Sequence, residues 1–251
     1  MELSLDGSVV LVTGGVRGVG LGITRAFLSA GSTVVVCARR PADVPGATFF
    51  PCDVRDAEQV SSLMSSVVSR FGRLDVVVNN AGGAPFALAD KASPRFHQKI
   101  VELNLLAPLL VSQAAYSVMR ESGGSIVMVS SVSGRRPSPG TAAYGAAKAG
   151  LDNLTASLAV EWAPRVRVNS LAVGMVRTEQ SHLHYGSEAG IEAVSRTVPL
   201  GRLATPDEVG ACAVFLASPL ASYVTGATLV VHGGGEVPAF LGAADTDGGS
   251  S

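Results

Sequence analysis

Short runs of β-branched and aliphatic residues alternate with longer stretches of helical periodicity along the chain. The first run, "SVVLVTGG", predicts a strand entering a glycine turn, and "LGITRAFLSAG" a helix that Gly31 ends. "TVVVCARR" predicts a second strand, and "ATFFPCDV" a short third one broken by Pro51 near its end. Asp56 caps a helix through Phe71. "LDVVVNNAGG" and "GSIVMVSSVSG" read as the fourth and fifth strands. Between them, Ser93-Pro94 supplies an N-cap and a first-turn proline for a long helix through Met119. A second long helix begins near Thr141 and continues past Trp162, and "VRVNSLAVG" is a sixth strand. Thr205-Pro206-Asp207-Glu208 is a capping box that opens a helix through Ala217, after which "GATLVVHGGG" closes the sheet.

Strands alternating with helices imply right-handed βαβ units. The expected fold class is α/β: a doubly wound parallel sheet of about seven strands with helices on both faces. One domain is expected over residues 1–241, with a substrate segment at about 177–202 and a frayed tail at 242–251, "GAADTDGGSS". Composition supports a large core, since 47% of the 251 residues are hydrophobic and 16% charged, with mean hydropathy +0.36. No run reaches the roughly 18 apolar residues of a membrane span, and the amino terminus lacks a signal-peptide layout. A net charge of −1 and a pI near 6.4 point to neither a nucleic-acid nor a membrane partner. The three cysteines match no zinc or CxxC spacing and fit a reducing cytoplasm, and no metal site is expected among the four histidines.

"TGGVRGVG" follows the first strand and opens the first helix, with Gly14, Gly18 and Gly20 spaced G-x-x-x-G-x-G. Glycines there let the chain turn tightly and let a pyrophosphate reach the unpaired N–H groups of the helix terminus. At the end of the second strand an acidic residue would bind a ribose 2′-hydroxyl, whereas arginine accommodates a 2′-phosphate. The chain has Ala38 followed by Arg39 and Arg40, so NADP(H) is expected over NAD(H), with Arg17 as a second positive contact.

The stretch "AAYGAAKAG" sets Tyr144 and Lys148 four apart on one helix face. Ligands of an open parallel sheet bind beyond the carboxyl ends of its strands. Asn79, Asn80, Ala81 and Gly82 end the fourth strand there, and Ser130 and Ser131 end the fifth. Asn169, Gly174 and Thr178 accompany the sixth.

From about Leu5 to Gly235 the chain resembles a compact short-chain dehydrogenase/reductase. The resemblance rests on "TGGVRGVG", "NNAG", "SS", "YGAAK", "RVRVNSLAVGMVRT", "PLGRLATPDEV" and "YVTGATLVVHGGG" in order. It implies that Tyr144 is the catalytic acid/base and that Lys148 contacts the nicotinamide ribose and lowers the phenol's pKa. It implies that Ser131 polarises the substrate carbonyl and that Asn104 holds a water linking Lys148 to solvent. Asp53 and Val54 would contact the adenine, and Asn80, Ala81 and Gly82 would line the cofactor. Val176 and Thr178 would meet the carboxamide and phosphates, with Val16, Val19 and Gly174 completing the cofactor set. The phenol needs such help, because its ordinary pKa of about 10 is far from neutrality. Two positions depart from the family pattern: Val173 stands where Pro is usual, and His232 where Asp is frequent. The first should loosen the turn near the nicotinamide without removing its N–H donors.

A small-molecule carbonyl or alcohol substrate is implied, with a 3-oxoacyl thioester or a bulky ketone such as a steroid both open. Leu183, Tyr185 and Ile191 could form an apolar lid hinged at Gly186 and Gly190, or simply pack their segment down. In the family the long helices that carry Asn104 and Tyr144 pair between subunits, so the resemblance implies a homotetramer or homodimer. A catalytically silent nucleotide sensor is the reading from another class of function.

Overall fold

The computed structural model describes residues 4–243. In chain order the main elements are β1 (Val9–Thr13), α1 (Gly18–Ser29), β2 (Thr33–Ala38), β3 (Thr48–Pro51), α2 (Ala57–Phe71) and β4 (Val76–Asn79). There follow α3 (Pro94–Val101), a π-helical turn (Glu102–Leu106), α4 (Ala107–Met119), β5 (Gly124–Ser131), α5 (Ala142–Trp162) and β6 (Val166–Val173). The last are α6 (His182–Tyr185), α7 (Glu188–Ser195), α8 (Pro206–Ala217), β7 (Thr228–Val231) and α9 (Ala239–Ala243). The seven strands form one parallel sheet in the order β3-β2-β1-β4-β5-β6-β7. The order reverses between β1 and β4, which makes their carboxyl ends the switch point where an open sheet binds its ligand.

The unbroken aliphatic strands divide their side chains between two cores, because successive residues point to opposite faces. Val9 and Leu11 join Leu63, Val111, Leu151 and Trp162 under α2, α4 and α5. Val10 and Val12 join Ile23, Phe27, Val209 and Ala213 under α1 and α8. The helices α1 and α8 meet almost backbone to backbone. A Cβ on Gly22 would lie 2.3 Å from the Pro206 carbonyl carbon, and one on Gly210 would lie 2.7 Å from the Gly22 carbonyl oxygen. Arg167 of β6 then closes α8: its guanidinium donates to the carbonyls of Leu216 at 2.8 Å, Ala217 at 3.0 Å and Val224 at 3.1 Å.

The expected helix from Pro94 to Met119 is present but is not α-helical throughout. Its middle turn widens at Glu102–Leu106, and the N–H of Ala107 bonds back five residues to the Glu102 carbonyl. By length and mean hydropathy of 1.2 this run could cross a membrane, yet Ala107, Val111, Ala115 and Met119 of its α4 part sit in the core. The expected extension of α5 past Trp162 does not occur. Ala163 precedes Pro164, which drives it to an extended conformation at ψ 149°. The expected tail divides as well: Gly242 and Ala243 belong to α9, and residues 244–251 lie outside the described residues.

Lengthening the side chain at the α1–α8 contact should force these helices apart. Gly210→Val is expected to lower unfolding free energy by about 1–3 kcal/mol, read as a lower urea midpoint at unchanged slope.

Candidate active site

The glycine turn is shaped by contacts that leave no room for side chains. Gly14 has φ 64° and donates its N–H to the Cys37 carbonyl at 2.8 Å. A Cβ on Gly20 would stand 2.2 Å from the Gly14 carbonyl oxygen and 2.5 Å from Asn80 Nδ2. Beyond the turn, α1 starts at Gly18 with no side chain capping it and no acidic residue in its first turn. Those open N–H groups and that close-fitting glycine backbone suit a pyrophosphate. Val16 and Val19 pack on the core beneath. Thr13, passed over in the sequence reading, fastens the switch point. Its Oγ1 accepts the N–H groups of Asn80 and Ala81, both at 3.0 Å, while Asn80 Nδ2 returns to the carbonyls of Thr13 at 2.9 Å and Gly14 at 3.2 Å. A hydroxyl on the last strand residue before the double glycine was the available signal.

At the adenosine end, Arg39 and Arg40 stand exposed directly after β2. Asp53 is less free than expected. Arg55 grips its carboxylate through Nε at 2.9 Å and Nη2 at 2.5 Å, and the N–H of Asp53 bonds Gln59 Oε1 at 2.9 Å. Arg55 thereby holds the Asp53 carboxyl below its ordinary range, with Arg39 adding a smaller pull. Val54 is buried, which leaves its side chain to the core.

The turn from β5 into α5 brings Ser131, Tyr144 and Lys148 together. Ser130 Oγ bonds the Lys148 carbonyl at 3.2 Å, fixing helix to strand, and Lys148 Nζ donates to the Val129 carbonyl at 2.7 Å. Lys148 is only 4% exposed, and its ammonium lies 5.5 Å from the centroid of the Tyr144 ring. Burial pulls the ammonium down to about 8, against the opposing field of Asp152 one turn further along α5. Asp152 is itself held by Ser170 Oγ at 3.0 Å and Arg135 Nε at 3.2 Å. The Tyr144 phenol runs opposite to expectation in the chain alone. Burial raises it, and the neighbouring Ser131 hydroxyl offsets part of that rise.

Asn104 occupies the π turn, fully buried. Its two amide hydrogens go to the carbonyls of Ile100 at 2.9 Å and Gly83 at 3.0 Å, and its Oδ1 accepts the Gly83 N–H at 2.8 Å. The side chain therefore pins the loop after β4. That loop is close to the ammonium: a Cβ on Gly82 would lie 3.5 Å from Lys148 Nζ.

On the other side of the cleft, Val173 does not loosen the turn. It pairs with Val231 in register, and the Gly174 N–H, expected to be an open donor, bonds the Val231 carbonyl at 2.9 Å. His232 packs on the same glycine, 2.7 Å from where its Cβ would be. Val176 bridges to Ala204, and Thr178 approaches the glycine turn, its methyl 3.7 Å from a Cβ built on Gly18. Ser181, also missed, is buried and accepts the Thr178 N–H at 2.9 Å. Asn169 lies away from the site, bonding Val224 and Ala227 to bring in β7. In the lid segment Ile191 is buried, Tyr185 half-buried and Leu183 exposed. Gly186 turns at φ 74°, whereas Gly190 is small because the Tyr185 carbonyl would lie 2.1 Å from its Cβ.

A family profile described as enoyl-(acyl carrier protein) reductase matches residues 14–236. An L-fucose dehydrogenase of Oryctolagus cuniculus is 39% identical over 92% of this chain and 86% of its own length. The chain belongs to the short-chain dehydrogenase/reductase family. A 3α-hydroxysteroid dehydrogenase of Mediterraneibacter gnavus, also in this family, is 35% identical over 93% of this chain and 98% of its own. The ligand-free structure of Thermoplasma acidophilum aldohexose dehydrogenase superposes with TM-score 0.88 at 29% identity, covering 99% of this chain and 98% of that one. As a short-chain dehydrogenase/reductase, the protein is an oxidoreductase that acts on CH–OH or C=O groups with a nicotinamide dinucleotide.

The buried ammonium has a thermodynamic signature. The folded chain releases its proton near 8 and a free lysine near 10.5, so between these values the unfolded state binds more protons and native stability rises with pH. Relative to Lys148→Met, the wild type is expected to gain on the order of 3 kcal/mol between pH 8 and 10.5, measured by chemical denaturation across that range.

Proposed function

We propose that this protein is an NADP(H)-dependent oxidoreductase in which Tyr144 exchanges a proton with the oxygen of a hydroxylated substrate, with Ser131 and Lys148 as its partners. The observation that carries this reading is the placement of the Tyr144 phenol, the Ser131 hydroxyl and the Lys148 cation at one carboxyl edge of the sheet, beside an uncapped glycine turn. The dinucleotide, when bound, supplies or accepts the hydride at the substrate carbon. Reduction leaves negative charge on the substrate oxygen, and a phenol kept protonated by burial gives up its proton there. Ser131 offers a hydroxyl where that charge develops. In oxidation the phenolate must accept the proton, and the Lys148 ammonium favours that form through the short distance to the ring. Asn104 acts at one remove, by holding Gly83 and so the loop that faces Lys148.

Preference for NADP(H) is supported by Ala38 where a carboxylate would repel a 2′-phosphate, and by two exposed guanidinium groups that follow it. The names of the relatives span sugars and a steroid, and support a sugar or polyol as the substrate over the 3-oxoacyl thioester that family membership first suggests.

Tyr144→Phe is expected to cut turnover by about 10²–10⁴-fold while NADPH affinity stays within about threefold by fluorescence titration; retained turnover would remove the phenol from the mechanism. Wild type is expected to favour NADP⁺ over NAD⁺ in kcat/KM by at least about tenfold when oxidising an alcohol panel, and Ala38→Asp to reverse that preference. Equal efficiency with both dinucleotides in the wild type would refute the NADP(H) assignment.

A further inference from the structure

Arg136 lies on the loop that leaves β5, and Glu236 on the segment that leaves β7. They join across the sheet edge, Arg136 Nη2 donating to Glu236 Oε1 at 2.5 Å. Because β6 lies between β5 and β7, this pair passes over the carboxyl end of β6. The segment leaving β6 brings a third polar group there. The half-buried Tyr185 phenol is raised by burial and by the Glu236 carboxylate, while Arg136 opposes the rise. The Arg136 loop and the last segment are both anchored. The Arg136 N–H bonds the Val132 carbonyl at 3.2 Å, one residue beyond Ser131. Leu200 and Val237 tie the last segment to the lid, through Gly233 at 3.1 Å and Thr197 at 2.8 Å. A guanidinium and a carboxylate thus meet at the carboxyl edge of the sheet, the edge that also carries Ser131 at the end of β5.

We propose that the Arg136–Glu236 pair is a specificity wall beside the Ser131–Tyr144 site and selects a polyhydroxylated substrate, a sugar or polyol. The proposal rests on the oxidoreductase reading above and adds the residues that choose the substrate. The pair keeps 40% and 37% of its side-chain surface exposed, so both partners retain hydrogen-bonding capacity for an incoming ligand. Arg136 has five N–H donors, of which Nη1 serves the Pro137 carbonyl and Nη2 serves Glu236. The carboxylate keeps free lone pairs. Adjacent hydroxyls of a polyol both donate and accept, and can satisfy a carboxylate and a guanidinium together. A steroid nucleus or an acyl chain would strip water from the same charges and return no hydrogen bond. A site built to bond hydroxyls discriminates strongly against analogues that lack them.

The test is steady-state oxidation of L-fucose, threitol and cyclohexanol with NADP⁺ by wild type, Arg136→Gln, Glu236→Gln and Glu236→Asp. Wild type should prefer the polyhydroxylated alcohols. The kcat/KM ratio of L-fucose or threitol, whichever wild type prefers, to cyclohexanol should fall at least tenfold in Arg136→Gln and Glu236→Gln. The loss should lie in KM rather than kcat, and Glu236→Asp should recover part of it. Retention of the NADP⁺-dependent rise in Tm checks that each variant is folded. A ratio within twofold of wild type in both glutamine variants, or a wild type that prefers cyclohexanol, would overturn the proposal and leave the oxidoreductase reading standing. Failure of wild type to oxidise any alcohol with either dinucleotide would overturn that reading instead.

Discussion

An ammonium buried beside a strand carbonyl is the constraint around which this molecule is arranged. Lys148 gives up hydration to lie against Val129, 5.5 Å from the phenol ring, and burial makes its proton easier to lose. Nothing in a hydrophobic core asks for such a group. Its surroundings keep it usable: Asp152 one turn along favours the charge, and Ser170 and Arg135 hold that carboxylate in place. The β5–α5 connection exists in this form because the helix must deliver the cation to the strand end. Ser130 bonds the Lys148 carbonyl, and Gly134 and Gly145 let the chain pass with almost no clearance.

The opposite edge of the cleft obeys a different rule. There the ligand-facing groups are main-chain N–H donors and glycines, and the protein's work is to keep the backbone close. Thr13 and Asn80 clamp the ends of β1 and β4, so the glycine turn and the loop after β4 are tied to each other. Pairing a hydrogen-bonded backbone frame with one buried charge-bearing side chain separates holding a nucleotide from moving a proton.

Much of this was legible in the sequence because the strands are nearly pure aliphatic and their ends are marked. The parallel sheet follows from βα alternation, its strand order does not, and Tyr144 and Lys148 share a helix face as their spacing requires. The π turn was not legible. In "VELNLLAP" Pro108 cannot donate a helical hydrogen bond, which marks a local irregularity, but the form it takes is explained by Asn104 bonding Gly83, far away in sequence. Arg55 on Asp53 was missed for the same reason that surface ion pairs usually are: two residues' separation says nothing about which way each points. The phenol's direction depended on burial, which no local stretch encodes. Gly174 misled because a strand continuing one residue further takes up the N–H that a prolyl turn would leave open.

The widened turn in the helix before β5 also fixes a reading frame for the active site. Each residue advances an α-helix by about 100°, so removing one residue between Pro94 and Asn104 would restore regular winding and swing the asparagine away from the loop it grips. The irregular helix is the one that reaches the cleft, and a smoother fold at this point would be a disconnected one.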